Sequence, residues 1–182
     1  MARLPYVDPM HASDTVRETL NGLPVPLKIF SMMAHAETNF RPLVRLGGSI
    51  LGRQQLSAML RELAILRVAH LSRARYEWVQ HVPIAQATGA TAAQIVALER
   101  GEITADAFDA VERAALRFTT EVLCDVRASE ASFTDVAQHL SAQEIVELIV
   151  TVGYYMLIAR ILETTAVDLD PPSGTRVVDA LR

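Results

Sequence analysis

The segment that most limits what this chain can become runs from Ser141 to about Leu162. Ser141 and Glu144 stand three apart, the spacing at which each side chain satisfies a backbone N–H left free at a helix start. Behind them Ile145, Val146, Leu148, Ile149, Val152, Tyr155, Met156 and Ile158 fill more than one stripe of a helix. A helix apolar on several faces must be covered by other helices or by a second subunit. A chain of 182 residues is one domain's length and too short to bury every face of it, so the pattern predicts a homo-oligomer.

The rest of the chain carries the same period. Asp14 is placed to cap a short helix over Val16 and Leu20, ending at Asn21-Gly22. Leu27, Phe30 and Met33 begin the next segment, and Phe40 to Leu51 follows, with Pro42 suited to a first turn. Gly47 and Gly48 there leave room for another helix to come close. Ser57 caps an apolar run from Leu60 to Leu71. Arg73 to Thr88 reads as a helix closed by Gly89, with Pro83 inside it. Thr91 caps a short helix to Leu98, Asp109 to Val126 forms a long one, and Ser132 caps Phe133 to Leu140. No segment alternates apolar and polar residues between hairpin turns. The expectation is an all-α bundle of about eight helices. It divides into an N-terminal arm and short helix (1–26), a helical domain (27–168) and a polar tail (169–182).

Composition removes several classes of function. Hydrophobic residues make up 51% and charged residues 21%, so the chain is not disordered. No stretch reads as a membrane span and no signal peptide is evident, which with one cysteine, Cys124, suggests a cytoplasmic protein. A single cysteine also excludes a disulfide framework and a cysteine-built zinc site. Cys124, among Val122, Leu123 and Val126, reads as a small buried hydrophobe. The net charge of −4 argues against nucleic acid as a partner. Glycine-rich nucleotide loops and a GxSxG elbow are absent.

Three residues could carry chemistry. Glu77 and His81 are four apart and share a helix face. Glu62 interrupts the apolar run Leu60 to Leu71, where a charge is costly without a partner. If the two helices form a hairpin, Glu62 meets Glu77 and His81 inside it. A carboxyl in an apolar setting has a raised pKa and can exchange a proton with a nearby imidazole. The competing readings are an ion pair of Glu62 with Arg61 or Arg67, and an ordinary surface pair for Glu77 and His81. Two carboxylates and one histidine are too few for a defended metal site, and none is expected.

Arg61-Glu62-Leu63-Ala64-Ile65-Leu66-Arg67, then Tyr76-Glu77-Trp78-Val79-Gln80-His81, then Ile84-Ala85 through Thr88-Gly89, resembles the carboxymuconolactone decarboxylase family, which also contains the alkylhydroperoxidase D-like proteins. The resemblance covers residues 57–100 and, more loosely, Gly153-Tyr154-Tyr155 and Arg160. It implies an alkylhydroperoxidase D-like helical bundle assembled as trimers or hexamers, or as a dimer, with a site between the helices of Glu62 and His81. In the peroxidase branch two cysteines would fall at Ala74 and Glu77. Neither position holds sulfur, so a thiol relay is not implied here. The resemblance then points to a cofactor-independent decarboxylase or proton-transfer enzyme acting on a small unsaturated carboxylate or lactone. Its catalytic residues would be His81, Glu62 and Glu77. Trp78 and Tyr76 would line the pocket, and Arg73, Arg53 or Arg160 would hold a substrate carboxylate. A peroxidase-related protein and a catalytically silent oligomeric binding protein are the alternatives.

Overall fold

The computed structural model describes residues 1–180. A short 3₁₀ turn at Pro9–His11 precedes α1 (Asp14–Asn21), α2 (Lys28–Met33), α3 (Glu37–Arg53), α4 (Ala58–Ser72) and α5 (Arg75–Ala87). There follow α6 (Ala92–Glu99), α7 (Ala110–Asp125), α8 (Glu130–Ala137), α9 (Ala142–Thr165) and α10 (Arg176–Asp179). Among the described residues there is no strand. The segments read as helical from Leu27 and from Phe40 appear as α2 and α3, and the helix added to the sequence reading is α10, a single turn within the tail.

α4 dictates the arrangement. Every residue from Leu60 to Ala69 is buried, so the helix has no solvent face and must lie at the centre. It packs against α5, α7 and α9. Its side chains feed two cores. Ile65 and Val68 join Phe40, Phe118 and Leu148 on one side. Leu63 and Leu66 join Ala85, Leu98, Phe108 and Leu116 on the other. Each such leucine or isoleucine withdrawn from water contributes about 1.5–3 kcal/mol, offset by the chain entropy lost in ordering it.

Several helix starts follow from the sequence, and others correct it. Ser57 accepts from the Leu60 N–H, and Thr91 with Gln94 and Ser141 with Glu144 form reciprocal caps. Asp109 and Glu112 form a third such pair. α8 is capped by Ser129, not Ser132, whose hydroxyl lies buried inside the helix. Asp14 is the first residue of α1 and does not cap it. Pro42 lies inside α3, because that helix begins earlier, at Glu37. Arg73 does not open α5. It ends α4 in the left-handed region (φ 54°), and the next amide, Ala74 N–H, donates back to the Ala69 carbonyl at 2.8 Å. This tight reversal sets α4 and α5 side by side. Cys124 is exposed, contrary to expectation, because it lies on the outer face of α7 near that helix's end.

Gly47 has the purpose foreseen for it. A Cβ there would overlap the Tyr154 hydroxyl, so glycine lets α9 approach α3 closely. α9 buries Ile145, Leu148, Val152, Tyr155 and Ile158 but leaves Val146, Ile149, Val150 and Leu157 exposed. Against expectation, α9 is long and apolar enough to cross a membrane by length and composition, with a mean hydropathy of 1.9. Half of that window is buried by the other helices, as in a core helix.

The two ends of the chain meet. Arg3 N–H donates to the Thr165 carbonyl at 2.8 Å, and Tyr6 hydroxyl to Asp168 at 2.9 Å. The tail is not detached but returns across α5, where Gln80 bonds Asp170, Pro171 and Ser173 and the Tyr76 hydroxyl donates to Asp170.

Candidate active site

Glu62 projects from the central helix and is wholly buried (0% exposed). A lone carboxylate there would be prohibitively costly. Arg61, its neighbour in sequence, donates to Glu62 Oε1 from Nε and Nη2 at 3.2 and 3.1 Å. The other oxygen, Oε2, accepts from His81 Nδ1 at 2.8 Å. Both Arg61 and Glu62 can point inward only because α4 has no outer face. The ion pair with Arg61 and the contact with His81 therefore coexist, and the reading of Glu62 as an ion-paired residue is realised together with the histidine contact.

This geometry assigns the histidine tautomer. With Nδ1–H directed at a carboxylate, the Nε2 lone pair is the one left for other chemistry. The ring is fixed from the other side by Tyr155, which meets it edge to face with centroids 4.8 Å apart. Tyr154 packs edge to face against Tyr155 at 5.3 Å and donates to the Leu43 carbonyl at 3.1 Å. Burial pushes the Tyr154 phenol up to about 12, with the Glu77 carboxyl adding to the shift. Burial likewise raises Tyr155, helped by Glu62, and Tyr76, helped by Asp170. All three phenols are neutral at physiological pH.

His81 borders a cavity of about 230 Å³ between α2, α3, α5 and α9. Its walls are mainly apolar, including Leu27, Phe30, Met33, Val44, Ile84 and Ile158. Glu77 also lines it, one turn before His81 on α5. Glu77 is 2% exposed, and neither of its oxygens has a hydrogen-bond partner. Burial pushes its carboxyl well above the usual range, and the negative fields of Glu163 and Glu62 push it further.

Of the residues singled out from sequence, Glu62, His81, Glu77 and Tyr76 converge here. Trp78 does not. It is one residue on from Glu77, hence about 100° around the helix, and packs with the Leu63–Leu66 core. Arg73 is the exposed cap of α4, and Arg160 is exposed, bonding the Met156 carbonyl within its own helix. Arg53 lies at a separate surface depression with Gln54 and Glu147. None of these arginines reaches the cavity. Sequence reasoning gave no site role to Tyr155, Gln80 or Arg61. Tyr154 and Tyr155 could have been noticed as adjacent polar-tipped rings in a largely aliphatic helix. Among the described residues no group of three His, Cys, Asp or Glu side chains is arranged to hold a metal.

The helical bundle has counterparts among solved structures. An uncharacterised peroxidase-related protein from Ralstonia eutropha JMP134, described as an alkylhydroperoxidase AhpD core, shares the fold with a TM-score of 0.78. It is 18% identical over 93% of this chain and 92% of its own. A peroxidase-related protein from Silicibacter sp. TM1040 gives 0.76 at 17% identity, over 93% of this chain and 92% of that one. The debrominase Bmp8, in a variant solved with 2,3,4-tribromopyrrole, gives 0.72 at 16% identity, over 100% of this chain and 96% of its own. These likenesses establish the fold as alkylhydroperoxidase D-like. Residues 38–121 match the model of the carboxymuconolactone decarboxylase family, a span that contains both Glu62 and His81. No curated protein matches the chain significantly in sequence.

Proposed function

We propose that the chain is a cofactor-independent proton-transfer enzyme, of isomerase or decarboxylase type, acting on a small unsaturated lactone. The observation that carries this reading is the arrangement at His81, whose Nδ1 is held by Glu62 at 2.8 Å while the ring borders an apolar cavity. In this reading His81 Nε2 removes a proton from the carbon next to the lactone carbonyl and leaves a dienolate. The imidazolium formed is stabilised by Glu62, and it returns the proton at the far end of the conjugated system. Loss of carbon dioxide from a carboxylated lactone would leave the same dienolate, and protonation by His81 would complete that reaction too.

Thiol-based peroxide or halide chemistry has less support. Ala74 and Glu77 stand where the peroxidase branch places sulfur, and Cys124 is on α7, outside the cavity lining. The test is incubation in heavy water with a panel of unsaturated lactones, with and without a ring carboxylate. Deuterium gain at carbon and carbon dioxide release are followed together. Absence of exchange with every compound would sink the proposal.

We also propose that the enzyme is a homo-oligomer. Val146, Val150 and Leu157 leave an apolar stripe on the outer face of α9, and a Cβ added at Gly153 within it would meet nothing within 4 Å. A second copy of this stripe is its natural cover. Light scattering at micromolar concentration should give a multiple of 20.0 kDa.

A further inference from the structure

The polar content of the cavity is unusual in what it lacks. Among the described residues no arginine or lysine lines it, and its ionisable carboxyl, Glu77, has no hydrogen-bond partner. Glu77 is held by α5 beneath the wall formed by α9. The charged and titratable groups around it are Glu62 with its partners Arg61 and His81, Glu163, and the phenols Tyr154 and Tyr155. Arg61 is spent on Glu62, 3.1 Å away, so among the described residues no cation is placed to balance an ionised Glu77. A carboxyl in that position is neutral, and its O–H is a buried donor with nothing to bond. Such a donor stabilises a ligand that brings an acceptor and gains nothing from one that brings a negative charge.

We propose that the cavity selects an uncharged, largely apolar substrate, and that Glu77 is the specificity residue, donating a hydrogen bond to an acceptor such as a lactone or ketone carbonyl. This rests on the proton-transfer reading and narrows it. A ring carboxylate would set a third carboxyl beside Glu62 and Glu77, where no arginine or lysine among the described residues lines the cavity to receive it. Within the reaction class, the geometry thus favours shifting a double bond in a neutral lactone over removing carbon dioxide from an acidic one. Glu77 would hold the carbonyl while His81 works on the neighbouring carbon, and its bond strengthens as the carbonyl oxygen gains charge in the dienolate.

The experiment uses the intact protein, calorimetric titration, and two probes. One is a methyl-substituted butenolide, and the other is the same ring bearing a carboxymethyl group. At pH 7 the neutral ring should bind at least about tenfold tighter than the acid. Glu77→Gln keeps a neutral donor in the same volume and should keep that affinity within about threefold, whereas Glu77→Leu should lose about tenfold or more for the butenolide. The infrared difference between parent and Glu77→Gln should contain the carbonyl band of a protonated acid at pH 7. Tighter binding of the acid, equal losses in Gln and Leu variants, no binding of the butenolide, or ionised-carboxylate bands in the difference would each overturn the proposal. His81→Ala separates the two readings. It should abolish deuterium exchange while preserving the preference for the neutral ring, so a failed exchange assay with intact selectivity would remove the proton-transfer reading alone.

Discussion

Glu62 and Glu77 are the same chemical group, almost equally buried and both close to His81, yet the fold treats them oppositely. Glu62 receives three hydrogen bonds, two from Arg61 and one from His81, while Glu77 receives none. Burial alone therefore does not say what a carboxyl is for. A carboxyl surrounded by donors is built to be an anion and to steer a cationic partner. One left without donors, with other acids nearby, is built to keep its proton. In the proposed reaction the two play different parts, Glu62 as a fixed anion behind the imidazole and Glu77 as a neutral donor toward the substrate.

The contrast can be broken most severely at its catalytic end. His81→Ala and Glu62→Gln should each lower proton-exchange turnover by roughly 10²–10⁴-fold, and the double variant should be little worse than either. Turnover corrected for folded fraction decides it, and an unchanged rate in His81→Ala would leave only the fold standing. Next in size, Arg61→Met strands the Glu62 charge and should cost about 3–5 kcal/mol in denaturant unfolding. Adding Glu62→Gln to it should recover most of that loss, since removing both charges is milder than removing one. A double variant as unstable as Arg61→Met would mean that packing, not charge, sets the cost.

A smaller effect reads the neutral partner. The folded-state pKa of Glu77 lies above its unfolded value, so the folded state binds the proton more tightly. The stability this gives is complete below the ordinary glutamate value of 4.5 and is lost as pH rises through the folded-state value. Melting temperatures of Glu77→Gln and the parent should therefore diverge in the variant's favour as pH rises, and a gap that stays constant would contradict a raised pKa. The smallest effect is a control outside both environments. Cys124→Ser, at an exposed position, should change stability by no more than about 0.5 kcal/mol and leave exchange activity untouched.

Much of the site was legible because it depends on local spacing. Glu77 and His81 share a face by arithmetic, and Glu62 stands out as a charge in an apolar run. What sequence could not supply was the wrapping. Arg61 could join Glu62 only because α4 is covered on every side, and that follows from α5, α7 and α9 together. Arg73 was assigned toward the substrate because its left-handed cap leaves no mark in the sequence. A non-glycine residue there is stabilised by the turn it closes. Trp78 was misplaced by its neighbours, since one step along a helix turns a side chain out of the cavity. The sequence reading gave only a polar tail, and its docking was not legible because its anchors, Tyr76 and Gln80, lie about ninety residues away.

Complete enclosure of α4 also has a consequence in time. Its amides exchange with solvent only when the whole domain comes apart, so Glu62 rides on the slowest-opening unit of the chain. Ser173, which borders the same cavity, is held through single hydrogen bonds between the tail and α5, the kind of contact that opens and recloses far more often. Two separate free energies then act at one site: a global one that keeps the Glu62–His81 distance fixed until melting, and a smaller, local one that holds the tail against the cavity.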